Sequence, residues 1–138
     1  MVCRVRTKLT RGSESIESIA LINSGFESDA PDIVIPLDLA KRFGLWPPRS
    51  ATATLIETGG GEVLSPYYIS FGDLELVLED RESKKVRVNI IVNPHVDEVV
   101  ISDYVASELG VILLDLKKGE WRLRDDSPEK VRTSIASK

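Results

Sequence analysis

The chain has 138 residues, 42% of them hydrophobic and 29% charged, with a formal net charge of −4. That length suits one domain with its own core, and the balance excludes wholesale disorder. An acidic excess without any Lys/Arg cluster argues against nucleic acid as a partner. The single cysteine, Cys3, rules out an intramolecular disulfide and leaves a thiol zinc centre short of ligands.

No apolar run approaches membrane-spanning length, so no membrane partner is expected. Met1 leads straight into a charged, alternating segment and not into a secretory leader. The expectation is a soluble, cytoplasmic protein with no cofactor and no metal. Glutamine is absent and asparagine occurs only at Asn23, Asn89 and Asn93, while Glu, Lys and Arg abound. Such depletion of thermolabile amides is typical of hyperthermophile proteins.

Val2 to Leu9 alternates as a strand with one charged face, Arg4, Arg6 and Lys8. Arg11-Gly12-Ser13 is a turn, and Ser15 to Ile22 returns as the second strand of an antiparallel hairpin. The apolar run Ala20-Leu21-Ile22 then stops at Asn23-Ser24-Gly25, where glycine permits a sharp change of backbone direction. Phe26 to Ile35 is a loop closed by Ile33-Val34-Ile35. Its acids Glu27, Asp29 and Asp32 read as solvated loop charges. Pro36 opens a short helix to Phe43, with Leu37 and Ala40 on its apolar face, and Gly44 stops it.

Trp46-Pro47-Pro48 is a rigid linker. Residues 51–56 and 63–69 are strand-like runs around Glu57-Thr58-Gly59-Gly60-Gly61-Glu62, a glycine-tipped hairpin. Two further strands, Leu74 to Leu78 and Val86 to Val92, flank a charged turn. Val99-Val100-Ile101 is a buried strand, and Ser102 caps a helix over Asp103 to Leu109 that ends at Gly110. Val111 to Leu114 and Glu120 to Leu123 form a closing hairpin across Lys117-Lys118-Gly119. From Arg124 onward the sequence is polar and reads as a flexible tail.

These pieces, taken in order over about residues 15 to 123, resemble the retropepsin-like aspartic proteases. That family has an apolar run ending in Asp-Thr/Ser-Gly, a loop, a short helix and a glycine-tipped hairpin. A second apolar strand, a small residue, a short helix and a closing hairpin follow. Ser24 and Gly25 match the motif, Asn23 holds the place of the catalytic Asp, and Ser102 stands where members usually have glycine. The resemblance implies an all-β, closed-barrel-like retropepsin fold with two short helices over residues 1–124, followed by a tail over 125–138. It also implies a homodimer with a peptide or protein segment in the cleft, and a substrate-binding flap at Thr58, Gly59, Gly60 and Gly61.

In the family, two carboxyls meet at the dimer axis and share one proton; one accepts from water while the other donates to the peptide carbonyl. An amide does neither near neutral pH. General acid–base help is worth about 10²–10⁴ in rate, and a homodimer of this chain lacks it twice. Three explanations stay open. The chain is a non-catalytic relative that keeps the cleft as a peptide-binding or assembly surface. Or it is a protease whose Asp was replaced, or is restored by deamidation of Asn23. Or Glu27, Asp29 or Asp32 supplies a different acid.

The remaining leads are plainer. His95 has no second histidine beside it and reads as a loop residue. Trp46 and Trp121 read as core or interface anchors. Gly59-Gly60-Gly61 has no phosphate-loop lysine and opens no helix.

Overall fold

A computed structural model describes residues 3–23, 25–48, 52–58 and 61–135, with backbone alone at 52–58 and 61–64. The first hairpin is β1 (Cys3–Arg11) and β2 (Glu14–Ile22), in register from Cys3 opposite Ile22 to Arg11 opposite Glu14. Side chains alternate across a strand, so Cys3, Val5, Thr7 and Leu9 face inward while Arg6 stays exposed. Thr7 is the polar member of that inward row, and its hydroxyl donates to the Ser18 carbonyl at 3.1 Å.

β3 (Asp32–Ile35) is followed by α1 (Leu37–Arg42), whose N-cap is Pro36. β4 (Thr52–Thr58) pairs antiparallel with the first part of β5 (Gly61–Leu76). The two separate runs expected at 63–69 and 74–78 are thus one 16-residue strand, interrupted by a register shift between Tyr68 and Gly72. Then come β6 (Val86–Val92), β7 (Val99–Ile101), α2 (Asp103–Leu109), β8 (Val111–Asp115), β9 (Glu120–Leu123) and β10 (Arg132–Thr133). The Ser102 hydroxyl caps α2 by accepting from Val105 N at 3.3 Å, and Gly110 closes its other end.

The large sheet runs β1-β2-β7-β3-β6-β5-β4, and β1 also pairs with β5. That pairing closes six strands into a barrel and leaves β4 as the outer arm of a hairpin. Among the described residues the fold is therefore mostly β, a closed six-stranded barrel with two short helices. Full closure removes the exposed edges an open sheet would carry. Below the shift, Leu74 and Leu76 enter the core opposite Leu9 and Thr7. Gly72 is required there, because a Cβ would lie 2.5 Å from the Thr10 carbonyl oxygen.

A second sheet, β10-β9-β8, contributes Trp121 and Leu123 to the same core. Residues 125–135, read from the sequence as a flexible polar tail, carry β10 and several ion pairs. Arg132 is forked onto both Asp80 and Asp126. The tail also reaches β1: Ile135 N donates to the Arg4 carbonyl, and Arg4 N donates to Ser134 Oγ. Periodicity could not reveal the contacts with Asp80 and Arg4, since Asp80 lies 52 residues from Arg132 and Arg4 lies 130 from Ser134.

Candidate functional site

Three strand ends come together behind Asn23. β2 runs parallel to β7 with Ile22 opposite Ile101, and β3 runs antiparallel to β7 with Ile33 opposite the same Ile101. One step further along each strand, Asn23 and Asp32 flank Ser102 on either side. Ser102 is fully buried, and its N–H donates to the Asp32 carbonyl at 3.3 Å. The short β7 lodged between β2 and β3 therefore fixes where the chain leaves β2 and where it enters β3.

Asn23 is exposed, and its Oδ1 accepts from Gly25 N at 2.9 Å. Phe26 N donates back to the Asn23 carbonyl at 3.0 Å, which closes a tight turn. A Cβ at Gly25 would sit 3.2 Å from Asn23 Oδ1, a close approach. Ser24, Gly59 and Gly60 lie outside the described residues. Thr58 ends β4 and is paired with Gly61 at the start of β5.

The loop after Gly25 is fastened to α2 and β3. Asp103 N donates to the Phe26 carbonyl at 2.9 Å, and Ser28 N donates to Asp103 Oδ1 at 3.0 Å. Glu27 and Asp29 point to solvent. Asp32 differs from its reading as a solvated charge, being half-buried and fully engaged. Its Oδ1 accepts from the Tyr67 hydroxyl at 2.6 Å and from Asn89 Nδ2 at 2.9 Å, and its Oδ2 accepts from the Ser28 hydroxyl at 2.6 Å. The cost of withdrawing that carboxylate from water is offset by three donors. The reciprocal effect falls on Tyr67. Burial first, then the hydrogen bond to Asp32 and its charge, push the phenol up to about 12.

Asn89 is the buried centre of this group. Its Nδ2 donates to Asp32 and also to the Tyr67 oxygen at 2.9 Å, while its Oδ1 accepts from Ser70 N at 2.8 Å. The sequence did carry a signal for it. Asn89 is a lone amide in the apolar strand VRVNIIV, in a chain with only three asparagines. Burying an amide there demands partners, which periodicity alone could not name.

His95 is exposed in a turn, Trp121 is buried, and Trp46 packs against the core from its edge. Among the described residues no group of three His, Cys, Asp or Glu gathers to hold a metal ion, and no helix is long and apolar enough to cross a membrane. No protein-family model and no curated protein matches the chain.

Proposed function

We propose that the chain is a retropepsin-like aspartic protease homologue that forms a homodimer and holds a peptide or protein segment in a cleft at Asn23. Peptide-bond hydrolysis there is impaired or absent. The observation that carries the reading is β7 seated between β2 and β3, with Asn23 at the end of β2 and the β4–β5 hairpin rising from the same barrel. This arrangement supplies a fixed side chain at 23 and a hairpin arm, the two parts a peptide cleft needs.

The loop's own acids do not replace the missing carboxyl. Glu27 and Asp29 are exposed, and both oxygens of Asp32 already accept hydrogen bonds. With an amide at 23 in each copy, proton transfer to and from a water has no agent, and binding remains. The symmetric dimer places the two Asn23 loops face to face, so that each copy supplies half the cleft.

The test is cleavage of a mixed peptide library by the unmodified protein and by Asn23→Asp across pH, together with light scattering. An aspartate keeps an acceptor for Gly25 N, so the turn survives the exchange. The expected result is a dimer, no cleavage by the unmodified protein, and acid-side cleavage by Asn23→Asp. A folded, dimeric Asn23→Asp variant that cleaves nothing removes the latent protease chemistry and leaves the peptide-binding module. A monomer at micromolar concentration removes the shared cleft altogether.

A further inference from the structure

We infer that Ser28, Asp32, Tyr67 and Asn89 form a coupling chain that sets the β4–β5 hairpin relative to the loop behind Asn23. Tyr67 and Asn89 act in it as positioning residues. The inference rests on the cleft reading for its consequence, which is that the two walls of the cleft move together. The coupling itself is a property of the isolated fold.

Tyr67 and Tyr68 pair with Ile91 and Ile90, whereas Gly72 pairs with Val88. Three residues of β5, Ile69, Ser70 and Phe71, therefore stand opposite the single Asn89 of β6, and the excess forms a bulge. Ser70 has φ 51, a conformation that non-glycine residues seldom adopt. Bulges bend a strand and separate the directions of its two halves. Below this one, β5 is clamped: it pairs with both β1 and β6, and Gly72 lies against the Thr10 carbonyl with no room for a Cβ. Above it, β5 is the inner arm of the hairpin with β4.

Asn89 lies opposite the bulge and ties it to the hairpin root. Its side-chain carbonyl accepts from Ser70 N at the bend, and its amide nitrogen reaches Tyr67 just above and Asp32 on the neighbouring β3. Asp32 passes the connection to Ser28, whose own N–H is held by Asp103 at the start of α2. The nearest cation on β6, Arg87, is turned the other way, to Asp73 and the Ser70 hydroxyl. A continuous run of hydrogen bonds thus joins the hairpin root, the bend and the loop. Each link is short, at 2.6 to 2.9 Å. Groups joined this way perturb one another reciprocally, so a cut at either end loosens both.

Amide hydrogen exchange on the full chain tests this without any ligand. Tyr67→Phe removes one hydroxyl and keeps the ring, and Ser28→Ala cuts the far end. Each is expected to speed exchange about tenfold in residues 61–68 and, equally, in residues 26–32, as loss of a bond to a charged group predicts. Residues 72–76 and the β1–β2 pairs stay unchanged. Tyr68→Phe is the control: its hydroxyl donates to the Leu45 carbonyl, outside the chain of bonds, and residues 26–32 do not respond. The double variant Tyr67→Phe/Ser28→Ala is expected to equal either single one. Acceleration confined to the segment that carries the substitution, or spread evenly over the barrel, overturns the inference. Either result leaves the peptide-cleavage test of the Asn23 cleft unaffected.

Discussion

Arg132 offers the sharpest test of what holds the C-terminal segment to the barrel. Its side chain is 10% exposed and forks onto Asp126, itself 6% exposed, through bonds of 2.8 and 3.0 Å. A second fork reaches the more open Asp80 through two bonds of 2.9 Å. The guanidinium also stands 5.7 Å from the centre of the buried Trp121 ring. Arg132→Met keeps much of the packing and strands the Asp126 carboxylate. Removing one member of a buried pair costs about 3–5 kcal/mol. The low end applies, because Leu123 N at 2.8 Å and Arg81 at 3.3 Å remain on Asp126. A loss of about 3 kcal/mol corresponds to a urea midpoint lower by about 2 M at a slope near 1.5 kcal/mol/M.

The comparison is Lys130→Met, whose 3.3 Å pair with Asp80 is more than 40% exposed on both sides and should cost under about 0.5 kcal/mol. The pH dependence gives a second check. Arg132 holds the Asp126 carboxyl well below the usual carboxylate range. A depressed folded pKa contributes stability that is present above about pH 4 and is lost as pH falls through the folded value. The gap between the parent protein and Arg132→Met should therefore shrink below about pH 4. A midpoint shift under about 0.5 M, or a gap that is constant down to pH 2, would refute the assignment.

Three further outcomes are expected. In an alkaline titration of phenolate absorbance, Tyr67 should ionise near 12, and that step should vanish in Tyr67→Phe. Since the folded value is raised, its contribution to stability is present below about pH 10 and lost as pH rises through 12. Gly72→Ala should cost about 3 kcal/mol by urea denaturation, because the new Cβ meets the Thr10 carbonyl at 2.5 Å and paired strands cannot part there. Cys3 is fully buried and its thiol is pushed up to about 11 by burial, so a disulfide reagent should label it only as fast as the protein opens. Labelling at the rate of a free thiol would place Cys3 outside the core.

Much of the local structure was legible in the residues alone. Alternation from Val2 to Leu9 marked β1 and its charged face, because a pleated strand sends neighbouring side chains to opposite sides. Ser102 before Asp103 and Gly110 after Leu109 bounded α2, because a helix end needs an acceptor at one terminus and a left-handed residue at the other. The apolar run ending before Asn23 marked the end of β2 for the same kind of local reason. In Asp32, by contrast, the sequence shows an acid in a polar loop, and nothing nearby states that Tyr67 and Asn89 will surround it.

What the tertiary structure decided is the set of pairings between distant residues. The order of strands, with β7 slotted between β2 and β3 and β1 closing on β5, brings Ile22, Ile33 and Ile101 into one row. That row sets Asn23 and Asp32 on either side of Ser102. It also decided that the polar C-terminal residues fold back on Arg4, 130 residues away. The physical reason is the range of each signal. Periodicity, caps and turns act within a few residues, so one stretch of sequence states them. Strand order, the β5 bulge and the buried polar hub depend on which surfaces the whole barrel brings together, and are settled only when it closes.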